Sequence, residues 1–416
     1  MKLTHRFQIP YDKDIYTKLK TKQMEVGRVW SDIVQYGNDY YRIFKLWIPK
    51  SDLEKMTKQV YELHCHTVQA IVAKYNVNRM ATLRRRKSGD IRAKYSWKGK
   101  RFYTIPYKRA GMVVSKQKII LKHYRYEMDV KDLLLTCNKK VKKLNDYIEI
   151  PNLAQEDISN ISYGEIVYKN GYYWFHYVVE VSEKKINMVF KPAGCDLGEI
   201  HSLAIGTEDK ALIISGRAIR AIKQYRAKAL AELSKKMSRC KKGTKKWEVY
   251  SQACQRIKTK SRHQIDYLIH KSTKEAIDFL IKEKVSDLVI GDPTGIEKGT
   301  KRDPRKRKNR TRRQQLSIWS YGELKEKLEY KCKLNGIKNH FVSESYTSQD
   351  CPFCGGRHFS NGRRFICSVQ KTEIHREVNG AQNICRKKFR LAVRPVDVLF
   401  KQPVWYRRKV SPNKKA

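Results

Sequence analysis

The apolar positions of the N-terminal half change their period twice. Residues 3–10, LTHRFQIP, alternate as in a strand, and between 15 and 77 the apolar residues recur at helical spacing. From about 95 to 187 the pattern returns to short strands rich in Tyr, Val and Ile. We therefore predict a β-barrel of residues 1–14 and 95–187, interrupted by a helical domain of residues 15–94.

Two long helices are expected inside the helical region. The second is predicted to run through KSDLEKMTKQVYELHCHTVQAIVAKY and to begin with a capping box formed by Ser51 and Glu54.

The C-terminal half has a different order of elements. Three antiparallel strands come first, in VFKPAGCDLG, HSLAIG and KALIIS, and two long basic helices follow at about 218–236 and 245–284. After these come the strand DLVIGD, a basic loop, a helix ending at Asn335, the strand KNHFVSE, a cysteine segment and a helix from about Val378. This is the order of the ribonuclease H fold, an α/β architecture.

The charge balance indicates a polyanionic partner. Lys and Arg number 90 against 41 for Asp and Glu, which gives a formal net charge of +49 spread along the chain. Because neither a polybasic segment beside an amphipathic helix nor a lipid anchor is visible, nucleic acid is favoured over a membrane surface. No apolar run approaches the ~18 residues that span a bilayer, and the N-terminus lacks the apolar region of a signal peptide. The expected location is the cytoplasm.

Three carboxylates are predicted at the ends of separate elements. Asp196 ends the first strand of the C-terminal sheet, Glu344 ends KNHFVSE, and Glu377 begins the last helix. Acids gathered at one sheet edge could bind two Mg²⁺ ions about 3.5–4 Å apart, as in metal-dependent phosphodiester hydrolysis. For each acid taken singly, an ordinary surface position is the alternative.

Three cysteines are grouped as in an incomplete metal site: Cys351, Cys354 and Cys367. They could hold Zn²⁺ with a fourth ligand from His358, His375 or water, although structural zinc is normally closed by four protein ligands. The alternative is a small hairpin that retains three free thiols.

Two basic clusters are candidate nucleic-acid contacts. One is the run Arg84, Arg85, Arg86 and Lys87. The other is the loop 301–313, whose arginines are Arg302, Arg305, Arg307, Arg310, Arg312 and Arg313.

The C-terminal half resembles the TnpB proteins, transposon-encoded RNA-guided DNA nucleases with a RuvC-like domain, and their relatives the miniature type V CRISPR effectors. The matching segments are GCDLGEIHSLAIG, VIGDPTGI, SIWSYGELKEKLEYKCKLNGIK, SESYTSQDCPFCG and HREVNGAQNI, spread over about residues 190–390. The resemblance implies a RuvC-like domain of residues 188–344 and 374–395, a degenerate zinc-ribbon insertion of residues 345–373 and a basic tail of residues 396–416. It also implies a guide RNA and a target duplex with a short flanking motif as partners, and it makes the helical domain a recognition domain.

The sequence departs from the family pattern at the acids and in the ribbon. Much of the family has Glu where Gly291 stands, while some members place the acid where this chain has Glu344, which implies a rearranged site with Asp292 in reserve. Glu377 replaces the family's Asp, and one added methylene moves a carboxylate by about 1 Å, enough to disturb octahedral Mg²⁺. Gln370 stands at the position of the last ribbon cysteine.

Three functions remain open from the sequence. The first is an RNA-guided DNA endonuclease with a two-metal site that is either intact or attenuated by these departures. The second is a guided DNA-binding protein that no longer cuts and acts as a repressor or roadblock. The third, a resolvase-like nuclease without RNA, would not require the large N-terminal half.

Overall fold

The chain divides into two units, Met1–Val181 and Ser182–Ala416, each with its own hydrophobic core. The computed structural model describes residues 1–128, 141–184, 189–292, 320–359, 362–389 and 395–403. Within these ranges, no helix has both the length and the apolar character needed to cross a bilayer.

The described residues of the first unit form three α-helices and two antiparallel sheets. Strand β1 (Lys2–Gln8) precedes the helices α1 (Lys13–Phe44), α2 (Lys50–Met56) and α3 (Cys65–Lys87). The remaining strands are β2 (Ile105–Lys108), β3 (Met112–Val114), β4 (Lys118–Met128), β5 (Val141–Pro151), β6 (Tyr163–Lys169) and β7 (Tyr172–Glu180). They pair in the orders β1-β7-β6-β2 and β3-β4-β5. Closure of these sheets into a barrel stays a prediction.

The helices and strands of the first unit share one core. Leu19 and Val26 of α1 are fully buried in the same cluster as Ile105 of β2 and Phe175 of β7. Asp12 caps α1 by accepting a hydrogen bond from the Ile15 amide at 2.8 Å. The proposed division of this unit into a barrel and a recognition domain therefore does not coincide with separate cores.

The second predicted helix is wrong in length and in its start. Helix α2 ends at Met56, and Gln59 then adopts the left-handed backbone conformation, with φ 59°, which breaks the helical path. A new helix, α3, begins only at Cys65. Pro49 is the N-cap residue of α2 and no side chain caps it, so Ser51 lies inside the helix and the capping box is absent.

The second unit is built on a six-stranded mixed sheet. Its strands are β8 (Pro192–Asp196), β9 (His201–Gly206), β10 (Lys210–Ser215), β11 (Asp287–Asp292) and β12 (Lys338–Ser343). The ribbon contributes a separate hairpin, β13 (Arg364–Ile366) and β14 (Glu373–His375), before the last strand β15 (Asp397–Lys401) joins the sheet. The order is β12-β11-β8-β9-β10-β15, in which β8, β9 and β10 are antiparallel neighbours, as predicted.

Four helices of the described residues accompany this sheet. They are α4 (Arg217–Met237), α5 (Lys245–Lys282), α6 (Tyr321–Leu334) and α7 (Arg376–Arg386). One core cluster joins Cys195 and Ile290 of the sheet to Leu280 of α5 and Leu328 of α6. The interior positions of the central strands are apolar and buried because helices cover the sheet.

The segment predicted as a basic tail supplies a strand instead. Residues 397–401 pair in parallel with β10, with Leu399 opposite Leu212. The apolar run VDVLF within this basic segment was the available signal, and it covers an edge that β10 would otherwise leave unpaired. The rest of the predicted tail, residues 404–416, lies outside the described residues.

Candidate active site and metal centre

The carboxyl ends of three neighbouring strands meet at one edge of the six-stranded sheet. Asp196 is the last residue of β8 and Asp292 is the last residue of β11. Strands β11 and β12 are parallel with Asp292 opposite Ser343, so Glu344 follows at the same edge. Because β8 is also parallel to β11, the three acids come from adjacent strands.

Helix α7 brings the third predicted acid to this edge. It lies so close to β8 that a Cβ atom at Gly194 would be 1.8 Å from the carbonyl oxygen of Ala381, which excludes any side chain there. A Cβ atom at Gly380 would lie 3.0 Å from Oδ2 of Asp196. Glu377 precedes Gly380 by three residues and so shares its helix face. The structure thus brings Glu377 to the side of Asp196.

Glu344 occupies the space that a side chain at position 291 would need. A Cβ atom at Gly291 would lie 2.5 Å from Cγ and 2.6 Å from Oε1 of Glu344. The Oε1 atom is buried and accepts no hydrogen bond from the described residues. A buried carboxylate oxygen without a partner is costly, and a bound cation would remove that cost.

Burial and mutual repulsion shift the acids of this edge. Burial, with the charge of Glu377 added, raises the pKa of Asp196 to about 7. Burial also raises the pKa of Glu344 to about 8, with further contributions from Asp196 and Asp292. Carboxylates that repel one another in this way are suited to divalent cations, whose preferred ligands are oxygens. The donor set therefore fits Mg²⁺.

Glu377 has two basic partners that the sequence did not predict. Arg363 donates to its Oε1 through Nη1, and Nδ1 of His201 lies 3.7 Å from the same oxygen. Although burial opposes the shift, the nearby imidazole of His201 and the charge of Arg363 hold the pKa of Glu377 below its usual range. The sequence offered one signal for His201, because this residue begins the strand that follows Asp196 along the chain. No sequence signal singled out Arg363, which stands in a basic pair beside β13.

Asp292, the reserve candidate, is engaged elsewhere. Its Oδ2 accepts a hydrogen bond from Lys325 of α6 at 2.6 Å. The side chains of both residues are about one quarter exposed. Asp292 also adds its negative charge to the surroundings of Glu344. It therefore contributes to the field of the site while its own carboxylate is paired.

The three ribbon cysteines converge with a histidine. The ligand atoms of Cys351, Cys354, His358 and Cys367 all lie within 4.8 Å of one another. Nε2 of His358 is 3.0 Å from Sγ of Cys354 and 3.9 Å from Sγ of Cys367. Three thiols and one imidazole form a donor set that tetrahedral Zn²⁺ accepts. Among the described residues, His358 therefore fits as the fourth ligand.

Neither the side chain of Gln370, which stands in place of the last ribbon cysteine, nor that of His375, the other protein candidate for the fourth position, points into the cluster. The side chain of Gln370 donates to the carbonyl of Phe353 at 2.8 Å, while its backbone amide donates to Sγ of Cys367 at 3.3 Å. His375 caps α7 by accepting from the Glu377 amide at 3.3 Å. The hydrogen bond from the Gln370 backbone amide to Sγ is the main cause of the lowered pKa of Cys367. A lowered pKa favours the thiolate, which is the form that binds metal.

The first basic cluster lies in the last turn of α3. Its four residues, Arg84 to Lys87, are exposed. Arg85 forms an ion pair with Asp90 at 2.6 Å, and the guanidinium of Arg86 lies 5.2 Å from the ring centroid of Tyr95. The arginines of the loop 301–313 lie outside the described residues.

Two family models match the second unit, and one of them begins a few residues before it. "OrfB_IS605, Probable transposase" matches residues 176–297, and "Cas12f1-like, TNB domain" matches residues 321–384. The first match contains Asp196 and Asp292, and the second contains the cysteine cluster, Glu344 and Glu377.

Curated relatives match over part of their length. A TnpB-like protein of Methanocaldococcus jannaschii is 28% identical over 129 residues, covering 31% of this chain and 44% of the relative. "Putative RNA-guided DNA endonuclease InsQ" of Escherichia coli is 26% identical over 216 residues, covering 50% of this chain and 52% of the relative. The chain thus spans about half or less of the curated relatives it matches.

A solved structure matches over nearly the whole chain. The cryo-EM structure of a Cas12f1–sgRNA–target DNA complex superposes with a TM-score of 0.61 at 15% identity, covering 94% of this chain and 99% of that chain. At this identity the likeness concerns the fold, a mixed α/β architecture that resembles the Cas12f effectors. The two family models and the curated relatives support the resemblance of the chain to the TnpB family.

Proposed function

We propose that this protein is an RNA-guided DNA-targeting protein whose RuvC-like site cuts DNA with divalent metal. The observation that carries the proposal is the convergence of Asp196, Glu344 and Glu377 at one sheet edge, with Glu344 filling the space beside Gly291. Relatives named as RNA-guided DNA endonuclease and as CRISPR-associated endodeoxyribonuclease support the same activity.

In the proposed site, three carboxylates would bind the metal ions and two basic side chains would hold one of these carboxylates in place. Asp196 and Glu344 hold buried carboxylates close to each other, and Glu377 adds a third from α7. Two Mg²⁺ ions bound there would supply an activated water and a counter-charge for the departing oxygen of the phosphodiester. Arg363 and His201 fix the orientation of the Glu377 carboxylate.

Two observations support a guide RNA and a target duplex as partners: the net charge of the chain and its likeness to a solved RNA–DNA complex. A formal net charge of +49 suits a protein that holds long nucleic acid through its backbone. Solved relatives include a complex with single-guide RNA and target DNA. A short motif beside the target duplex remains part of the proposal, read by the protein while base pairing reads the rest.

A guided DNA binder that does not cut is the second candidate. The observation that favours it is the ion pair of Glu377 with Arg363, which neutralises one proposed metal ligand. If that pair persists when DNA is bound, only two of the three carboxylates remain for metal, and cleavage would be slow or absent.

One purification tests both candidates. The protein would be isolated from cells that carry its locus, washed at high salt, and the retained RNA sequenced. We expect a single RNA species, because non-specific contacts are lost steeply as salt rises. The RNA-bound protein is then given a matched duplex and Mg²⁺, with Asp196→Ala as control.

The outcomes separate the candidates. Cleavage by the wild-type protein and guided binding without cleavage by Asp196→Ala would establish the nuclease. Guided binding without cleavage by either would establish the non-cutting binder. Random cellular RNA after the wash would contradict both.

A further inference from the structure

A small cavity of the second unit contains a buried lysine. The cavity, of about 60 Å³, lies where the first two turns of α4 and the first turn of α6 approach the chain between β8 and β9. Its apolar wall includes Ile219 of α4, Ile269 of α5 and Leu324 of α6. Lys223 of α4 also lines it and is only 9% exposed. Lysine side chains are seldom buried to this extent, so this amine lies in an unusual environment.

The amine of Lys223 is directed at the start of α6. Its Nζ donates a hydrogen bond of 2.8 Å to Oγ of Ser320, which is the N-cap residue of this 14-residue helix. The N-terminus of a helix carries a partial positive charge, which disfavours a cation beside it. The bond to Ser320 requires only an N–H group, which a neutral amine or an amide also has. The position therefore accepts a neutral form of this side chain better than the ammonium form.

Burial and the neighbouring charges favour the neutral amine. Burial is the largest cause that lowers the pKa of Lys223, to about 8. The two acids that oppose this shift each contact an arginine: Glu323 lies 2.5 Å from Arg262, and Glu199 lies 3.4 Å from Arg220. The other charged groups that act on the amine repel it, and they are Arg226 and Arg262. A desolvated lysine of this kind can act as a nucleophile toward a carbonyl group.

The size of the cavity limits what it can hold. A protein cavity of about 150 Å³ holds benzene, which has six heavy atoms. On that scale a cavity of about 60 Å³ accommodates roughly three heavy atoms, the number in an acetyl group. The methyl group would contact the apolar wall, and the new amide N–H would still donate to Ser320. The exposed residue Gln224 is part of the lining, so the cavity reaches the surface of the unit.

We propose that Lys223 is an acylation site whose cavity receives an acetyl group from an activated donor, either a thioester or an acyl phosphate. The neutral Nζ attacks the carbonyl carbon and forms a C–N bond, while the bond from that carbon to the sulfur or oxygen of the donor breaks. The leaving group departs as a thiolate or a phosphate, and the proton lost by the amine passes to solvent. Nothing is oxidised or reduced. This site goes beyond the proposed function and does not depend on it.

Acetylation would act on the start of α6. It removes a positive charge from beside the helix N-terminus and fills an apolar cavity, and both changes stabilise the first turn. The same helix carries Lys325, whose Nζ donates to Oδ2 of Asp292 at 2.6 Å. The modification therefore bears on a helix that contacts the acid edge.

Quantitative mass spectrometry tests the site. The full-length protein with its co-purified RNA is incubated with acetyl coenzyme A or acetyl phosphate at several pH values, and the remaining lysines are acetylated with isotope-labelled acetic anhydride after denaturation. Trypsin then cuts at arginine alone, so Lys223 falls in the peptide AIKQYR.

At pH 8 we expect the acetyl occupancy of Lys223 to exceed that of Lys228, an exposed lysine of the same helix, by at least about tenfold. A lysine whose pKa is about 8 is neutral about a hundredfold more often at this pH than an ordinary lysine, and burial offsets part of that advantage. Above about pH 8 the labelling rate of Lys223 should level off, whereas that of lysines with an ordinary pKa rises further.

Matched variants separate the cavity from general reactivity. Ile219→Phe and Ile222→Phe each enlarge a partly buried α4 residue that packs against the same core, but of the two only Ile219 lines the cavity. Ile219→Phe should lower the occupancy of Lys223 to that of Lys228, and Ile222→Phe should leave it unchanged. Benzoyl coenzyme A, whose acyl group exceeds the cavity, should label Lys223 no more than Lys228. Hydrogen exchange over residues 321–324 should be slower in the acetylated protein.

Each outcome bears on the proposal. Preferential labelling of Lys223 by one donor alone would support the site and identify the thioester or the acyl phosphate as its source. Occupancy of Lys223 at or below that of Lys228 with both donors would overturn it. Equal labelling by the acetyl and benzoyl donors, or an unchanged yield in Ile219→Phe, would also overturn it, because the cavity would then play no part.

Discussion

Gly291 and Glu344 compete for one volume. A Cβ atom at position 291 would lie 2.5 Å from Cγ of Glu344, closer than real Cβ contacts come. Gly291 lies on β11, and Glu344 directly follows the adjacent parallel strand β12. A carboxylate can therefore be supplied to this space from either strand, but not from both.

The first prediction is that the acid can be moved between the strands. Glu344→Ala should abolish Mg²⁺-dependent cleavage, and Gly291→Glu alone should impair it, because its side chain would collide with Glu344. The double variant Gly291→Glu with Glu344→Ala should recover cleavage, since one carboxylate again fills the space. The measurement is the cleavage rate of a matched target by the RNA-bound protein.

Gly291→Ala with Glu344→Ala is the matched control, which fills the space without a charge and should stay inactive. Recovery by this control, or no recovery by the Glu-bearing double variant, would show that Glu344 does not act as a ligand.

The second prediction concerns the length of residue 377. Glu377→Asp withdraws the carboxylate by about 1 Å, which weakens its pairing with Arg363 and suits the tight geometry of Mg²⁺. Cleavage should speed up by about tenfold, equivalent to ~1.4 kcal/mol of barrier. Glu377→Gln keeps the length without the charge and should be inactive. Slower cutting by the Asp variant would mean that the site is adapted to glutamate.

The third prediction is that Asp292 is dispensable. Asp292→Ala removes a partly exposed partner of Lys325 and leaves Glu344 in place. We expect the cleavage rate to change by less than about fivefold, the equivalent of ~1 kcal/mol for such a pair. Complete loss of cleavage, with guided DNA binding retained, would assign Asp292 to the metal site.

The fourth prediction is zinc bound by three cysteines and His358. Protein purified without chelator should contain about one zinc per chain by metal analysis, and Cys354→Ser or His358→Ala should lower it. Adding Gln370→Cys to His358→Ala should restore zinc by supplying the missing thiol. Cys240→Ser, which changes a cysteine outside the cluster, should have no effect. Less than about a tenth of an equivalent in the wild type would leave the hairpin with free thiols.

The fifth prediction is acid sensitivity of the first unit through His123. This side chain is 1% exposed, and its Nε2 lies 2.9 Å from the Tyr107 hydroxyl. Burial, helped by the nearby charge of Lys22, lowers the pKa of His123 to about 3. Below about pH 6.5 the unfolded chain takes up a proton that the folded chain does not, so stability falls as the pH drops through this window.

At pH 5 the resulting loss of unfolding free energy is roughly 2 kcal/mol. Hydrogen exchange of the β4 amides at pH 7 and pH 5, corrected for intrinsic rates, measures it. His123→Gln cannot take up the proton and should show a flatter dependence. Equal pH dependence in both proteins would exclude His123 as the cause.

The order of the elements in the second unit could be predicted because each strand is a short apolar run bounded by turn residues or charged helices. The acids followed from that order, since parallel strands deliver their last residues to one edge. Their mutual distances could not follow, because they depend on Gly194 letting α7 approach β8 and on Glu344 filling the space at Gly291.

The spacing of the ribbon cysteines could not predict which residue is the fourth member of the cluster. The sequence left His358, His375 and water open as the fourth ligand, and the fold distinguishes the two histidines: His358 faces the thiols while His375 caps α7. Likewise, the periodicity of the apolar residues runs through 57–64 unbroken, but the left-handed Gln59 ends the helical path there. Tertiary packing, which local patterns do not encode, decided both.

The pairing of β15 with β10 also sets an order of events during synthesis. Strand β10 is complete at Ser215, whereas its neighbour begins at Asp397, so the two leave the ribosome far apart in time. At about 5–20 residues per second, the interval is on the order of ten seconds or more. Throughout that interval the outer edge of the nascent sheet is open to other strands, and it is covered only when the last strand pairs with β10.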